Sequence, residues 1–298
     1  MSVALLVLPD FLLVALGWAL RHRLGFSREF FAGCERLVYF VLFPALLFQS
    51  ILSTPITAGN AVLLLQATAA VIVIGLALSW LAAPLLRPDP VALASAAQCG
   101  YRFNTYISLA LAASLGGPAG QTVMALIIGF AVPMTNVAAV YGLARHSGNS
   151  LLRELARNPL VLSTLTGLAC NLAGFTLPGP VDTLLARLGA AAIALGIICV
   201  GAGLAWEGGR GHGRLISWML VVKLLLLPAV GLGVAHVLGL PALEARMLLI
   251  FSAVPTASAA YVLAMRMGGD GRMVALLISL GTLLSAVSIP VWLLVSAP

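Results

Sequence analysis

Along this chain polar residues vanish for about twenty positions at a time and then return in short clusters. Apolar runs fall at residues 3–20, 33–52, 60–83, 91–115, 121–143, 159–175, 181–205, 215–238, 242–266 and 273–295. Wound as α-helix at about 1.5 Å per residue, a run of that length reaches across a hydrocarbon layer about 30 Å thick. The pattern predicts ten membrane-spanning helices and no soluble domain. The first run has no basic stretch before it and leads directly into Arg21-His22-Arg23, which predicts a retained helix rather than a cleaved signal peptide. The longest polar connection, SGNSLLRELARN at 147–158, is basic and amphipathic but too polar to span. It is expected to form a short interfacial helix that joins the two halves of the chain.

The halves echo each other. Leu111-Ala-Ala-Ser-Leu-Gly-Gly117 has a counterpart in Leu263-Ala-Met-Arg-Met-Gly-Gly269, 152 residues on, and both close the fourth helix of a five-helix set. A weaker echo pairs Pro9 and Gly17 with Pro159 and Gly167, at an offset of 150. An odd number of helices in each set obliges the second half to enter the membrane from the opposite side. The predicted architecture is an all-α membrane protein of two inverted repeats, 1–146 and 159–298, linked by 147–158. Secondary transporters are often built this way, with their sites where discontinuous helices meet near the bilayer midplane.

Composition agrees with this reading, and charge adds orientation. The 298 residues are 61% hydrophobic and 8% charged, with a mean hydropathy of +1.10. That leaves too little polar surface to cover a soluble globule. A net charge of +7 does not indicate nucleic acid, because the basic residues are spread singly among connecting loops without interleaved aromatics. Loops after the odd-numbered helices carry twelve arginines (21, 23, 28, 36, 87, 145, 153, 157, 210, 214, 266 and 272). Those after the even-numbered helices carry none, apart from Arg246 near the start of the ninth. The positive-inside rule places the odd loops in the cytoplasm and both termini outside. Cysteines 34, 99, 170 and 199 lie in or beside the apolar runs and are expected to be free thiols.

Against that background the stretch Gln98-Cys-Gly-Tyr-Arg-Phe-Asn-Thr-Tyr-Ile-Ser-Leu109 stands out. Arg102 and Asn104 sit near the middle of the fourth run, where polar groups are costly unless they face protein or water. Gly100 weakens the helix just before them. Shifted by the repeat offset, Asn104 lands on Thr256, directly after Pro255. Proline lacks a backbone donor and opposes continued helix, so 252–258 is the expected break in the ninth helix. Two repeat-related breaks would bring four half-helix ends together, their free N–H groups favouring an anion and their exposed carbonyls a cation. A purely structural alternative has Arg102 snorkelling to the interface, Asn104 tying two helices together and Pro255 kinking its helix.

Lys223, the sole lysine, lies mid-helix in MLVVKLLLLPAV. It is either a fixed cation that pairs with a carboxylate or replaces a coupling ion, or half of a structural ion pair. Asp10, in the first helix, is either a buried acid or an interfacial one. The four histidines show no metal-ligand spacing. EGGRGHGR at 207–214 lacks the Gly-Lys-Ser/Thr ending of a phosphate loop, so no ATP-driven module is expected in this chain. An intramembrane enzyme would need paired membrane aspartates, His-Glu-x-x-His or Gly-x-Ser-x-Gly, and none occurs.

In order and spacing, LPDFLLVALGWALRHRLGFS, LVYFVLFPALLFQSI, YRFNTYISLALAASLGG, RNPLVLSTLTGLACNLAGFTLP, KLLLLPAV and AVPTASAAYVLAMRMGGD resemble the auxin efflux carrier family of bacterial permeases, relatives of the plant PIN auxin exporters. The likeness runs over essentially the whole chain. It implies ten helices in inverted repeats, the fourth and ninth crossing at their breaks, in a fold shared with bile-acid sodium symporters. It also implies secondary transport of small organic anions, mono- or dicarboxylates or auxin-like acids, across a bacterial inner membrane. Bacterial members are usually named malate or malonate permeases. Carried over by position, Arg102 and Asn104 match the family's Arg-x-Asn and Pro255 its ninth-helix proline. The expected substrate-binding set is Arg102, Asn104, Thr105, Pro255, Thr256 and Ser258, with Lys223, Asp10 and Gln98 in coupling or support. One departure is Ser108-Leu109-Ala110 where the family often has Gly-Leu-Pro, which predicts a softer break in the fourth helix. The resemblance further implies a mobile bundle of helices 3–5 and 8–10 carrying the site past a scaffold of helices 1, 2, 6 and 7. The rival from another class is an anion channel lined by the same residues. Expected partners are the organic anion and the lipid bilayer, with a homodimer left open, and no cofactor is expected.

Overall fold

A computed structural model describes residues 3–52, 58–144, 159–205, 211–257 and 259–296, and these form helices with no strand among them. The first half contains α1 (Val3–His22), α2 (Arg28–Leu37), a π-helical turn (Val38–Leu42), α3 (Phe43–Leu52), α4 (Ala58–Trp80), α5 (Ala82–Leu86), α6 (Pro90–Tyr101) and α7 (Thr105–Ala144). The second contains α8 (Pro159–Leu172), α9 (Gly179–Ala202), α10 (Gly213–Val221), a π-helical turn (Val222–Leu226), α11 (Leu227–Val237), α12 (Ala242–Ala253), α13 (Ala259–Arg266) and α14 (Gly271–Val295). Among the described residues six stretches are long and apolar enough to cross a membrane: Arg28–Gln49, Val62–Leu86, Pro90–Leu143, Gly179–Ala202, Gly213–Val237 and Gly271–Val295. With 54 residues, Pro90–Leu143 is long enough to cross twice. It turns at Gly117, whose φ of +59° is a conformation that side-chain-bearing residues rarely adopt.

Local chemistry sets the helix ends. α2 starts at Arg28, five residues before the apolar run that predicted it, because Ser27 caps it by accepting from Phe30 N at 3.1 Å. Arg36 therefore lies inside a helix rather than in a loop. α6 starts where Asp89 accepts from Ala92 N at 2.9 Å, and Pro90 occupies its first turn, where the missing N–H costs nothing. The connection at 147–158 lies outside the described residues.

Packing falls into two groups. α1, α3, α8 and α9 form one group, and α4, α6, α7, α11, α12 and α14 another, with α7 and α14 touching both groups. In the first group α1 and α9 approach so closely that a Cβ on Gly17 would meet Ile198 O at 1.9 Å, and one on Gly201 would meet Val14 O at 1.9 Å. Small residues that admit backbone-to-backbone contact are how helices gain packing energy where no water is available to be expelled.

Candidate functional site

Both predicted breaks are present, and they touch. α6 stops at Tyr101 because Arg102 is extended (φ −74°, ψ 155°), and α12 stops at Ala253 because Val254 is extended (φ −66°, ψ 149°). For Val254 the cause is local, since the ring of Pro255 disfavours helical geometry in the residue before it. The first break has no proline, yet its backbone is as extended as the second, so it is not softer. Asn104 secures it instead: its Oδ1 accepts from Tyr106 N at 3.0 Å and Ile107 N at 3.2 Å, capping α7. α6 runs through Gly100 and ends one residue later, at Tyr101. The glycine is needed for packing, because a Cβ there would lie 2.1 Å from Ser79 Oγ.

Each break satisfies groups left open by the other. Asn104 N donates to Pro255 O at 2.7 Å. Thr256 Oγ1 donates at 2.5 Å to Cys99 O, a carbonyl in the last turn of α6. Gln98 Nε2 donates to Ala260 O in α13 at 3.2 Å, and the rings of Phe103 and Phe251 meet edge to face at 4.6 Å. These contacts bring Gln98, Arg102, Asn104, Thr105, Pro255 and Thr256 to one place. Ser258 lies outside the described residues, and although Asp10 belongs to α1, its side chain also lies outside the description.

Arg102 is 7% exposed, so it does not snorkel to an interface. Its Nη1 donates to Gln98 Oε1 at 3.3 Å and its Nη2 to Asn136 Oδ1 at 3.0 Å. Among the described residues the ionisable groups that act on it are Tyr101, Cys99 and Tyr39, with no carboxylate among them. Lys223, buried in the π-helical turn before α11, donates from Nζ to Ser252 O at 3.2 Å. That carbonyl belongs to the last turn of α12, the negative end of a half-helix, where a cation is favoured. Among the described residues Lys223 makes no ion pair. Both cations thus lie at or beside the breaks with no compensating charge among the described residues, and a buried charge is costly until an opposite charge arrives.

At the crossing one donor is left over. Asn104 is 1% exposed, and while its Oδ1 is engaged in capping, its Nδ2 has no partner among the described residues. Unpaired buried amides are rare because each forfeits a hydrogen bond it would make in water. A small cavity of about 110 Å³ between Val91, Leu143 and Gly268 lies toward the other end of α6 and is not part of this constellation.

Several participants had escaped the sequence. Asn136 sits in the apolar context AVPMTNVAAV, with no local signal of a role. Tyr106, in the first turn of α7, stacks on Phe43 at 4.7 Å and fills the space beside Gly196, where a Cβ would meet its ring at 2.4 Å. It joins the crossing to the first packing group. Glu35, half-buried on α2, is a membrane acid that acts electrostatically on Tyr106. The four cysteines are free thiols.

A family model described as membrane transport protein matches residues 134–293, more than half of the chain. No curated protein matches it.

Proposed function

This chain belongs to the auxin efflux carrier family of membrane transport proteins, and we propose that it is a secondary carrier of small organic anions whose site is the meeting point of the two breaks. The observation that carries this reading is the buried, unpartnered Nδ2 of Asn104, held beside Arg102 by a cap that consumes only the other end of the amide. A carboxylate there would accept from Nδ2 and compensate the guanidinium. Thr105, Pro255 and Thr256 belong to the same meeting point, and Ser258 is proposed as a further substrate contact from its place in the sequence. Lys223 supports the meeting point from behind by holding the end of α12.

Ten spans in two inverted five-helix repeats are the arrangement this reading requires, and several features support it. α6 and α12 are separated by 152 residues at both ends, from Pro90 to Ala242 and from Tyr101 to Ala253. Close contacts repeat at the same offset with the partners exchanged. Gly100 faces Ser79 Oγ in the first half, and Gly231 faces Ser252 Oγ in the second, at 2.5 Å from an added Cβ. Ser79 and Gly231 are 152 residues apart, as are Gly100 and Ser252. The two packing groups suit an elevator, in which α4, α6, α7 and α10–α14 move past α1–α3, α8 and α9. The arginine distribution favours a bacterial inner membrane orientation with both termini outside the cytoplasm.

The test is counterflow in proteoliposomes, with labelled malonate and labelled benzoate as probes for a dicarboxylate and an aromatic monocarboxylate. Saturable counterflow of either acid supports a carrier. Anion conductance that rises without saturation refutes it in favour of a channel.

A further inference from the structure

Arg102 poses a problem of charge that the crossing alone does not solve. A guanidinium is held in the membrane interior by two hydrogen bonds, and both acceptors, Gln98 Oε1 and Asn136 Oδ1, are neutral amide oxygens. Gln98 lies in the last turn of α6, four residues before Arg102. Asn136 comes from the far segment of α7, beyond the turn at Gly117, and is the shorter of the two contacts. Its amide orientation follows from chemistry, because a guanidinium has donors only and the oxygen must face it.

We infer that Asn136 is a specificity-determining positioning residue, whose neutral amide oxygen fixes the guanidinium of Arg102 while leaving its charge free for a substrate anion. This rests on the crossing being the anion site. Aspartate has nearly the same shape and would bind the guanidinium more strongly, because charge-assisted hydrogen bonds are shorter and stronger than neutral ones. If Asn136 served only to hold two helix segments together, aspartate would serve at least as well. If it serves to hold Arg102 uncompensated, aspartate would neutralise the arginine and turn the site against carboxylates. The same substitution therefore moves stability and anion recognition in opposite directions.

The experiment compares wild type, Asn136→Asp, Asn136→Ala, Asn136→Ser and Arg102→Gln in the same malonate and benzoate counterflow assay, with the melting temperature of each purified protein. Arg102→Gln is expected to lose transport. Asn136→Asp is expected to melt no lower than wild type and to raise KM at least tenfold. Asn136→Ala is expected to raise KM with the maximal rate retained, and Asn136→Ser, which keeps a neutral acceptor, to recover part of the loss. A wild-type KM in Asn136→Asp, with Arg102→Gln inactive, overturns this inference and leaves the crossing as the site. Should Asn136→Asp fail to fold, an unchanged KM in Asn136→Ala overturns it equally. Normal transport by Arg102→Gln, or a wild type that moves neither acid, overturns the proposed site and this inference with it.

Discussion

Asn104 has two jobs in this structure, and substitutions at that position can separate them. Asn104→Ala removes both: the cap on Tyr106 N and Ile107 N, and the free Nδ2. Losing the cap leaves the N–H groups of Tyr106 and Ile107 open, at a cost of about 1–3 kcal/mol. A transport defect in Asn104→Ala alone is therefore ambiguous between a collapsed break and a lost contact. Serine and aspartate cap helices about as well as asparagine, so Asn104→Ser and Asn104→Asp should keep α7 intact while deleting the Nδ2 donor. A hydrogen bond from a neutral donor to a carboxylate is worth about 1.5–3 kcal/mol, and at 1.4 kcal/mol per tenfold its loss corresponds to about a 10- to 150-fold rise in KM. Asn104→Asp should lose more than Asn104→Ser, because it also places a negative charge against the incoming anion. Counterflow of malonate and benzoate at graded concentrations reads KM, and thermal unfolding of the detergent-solubilised protein reads the cap. An Asn104→Ser protein with KM within about twofold of wild type would refute the assignment of Nδ2 to the substrate, however badly Asn104→Ala behaves.

Lys223 holds the end of α12 through Ser252 O and meets no carboxylate among the described residues, so it is expected to act as a fixed charge in place of a coupling cation. Transport should then be insensitive to replacing sodium by potassium at fixed pH and membrane potential, and Lys223→Ala should slow both acids without changing their ratio; strong stimulation by a sodium gradient alone sinks this. Gly100→Ala should destabilise the protein by about 1–3 kcal/mol by forcing a methyl group onto Ser79 Oγ. Ser79→Ala in the same chain should recover part of that, and additive melting-temperature losses would show that the two residues do not compete for the same space. A reporter active only outside the cytoplasm should work when fused after Pro298 and fail when inserted at 207–214; the reverse pattern inverts the topology.

How much of this was legible without coordinates depends on the range of the physics involved. The apolar runs, the membrane assignment and the family likeness were readable because hydrophobic length is a property of consecutive residues. So was the break before Pro255, whose ring acts on the neighbouring Val254. Asn104 was readable as a break residue for the same reason, since a cap bonds its own next turn. Gly100 was only half legible by that local logic. A glycine in a helix suggests weakness, and this one also makes room for Ser79, more than twenty residues away in sequence.

What only the tertiary structure decided is which groups compensate which. That Asn104 N reaches Pro255 O and that Thr256 takes Cys99 O depends on two halves of the chain folding against each other, and that Lys223 finds Ser252 O depends on two helices of the second half doing so. Asn136 is the clearest case. In sequence it is one polar residue in an apolar helix, and its meaning comes entirely from the guanidinium placed 3.0 Å away by a different helix. Burial determines the average polarity of a segment and is written along the chain. The pairing of the few polar groups that remain is set by distances across helices, and no one-dimensional pattern encodes it.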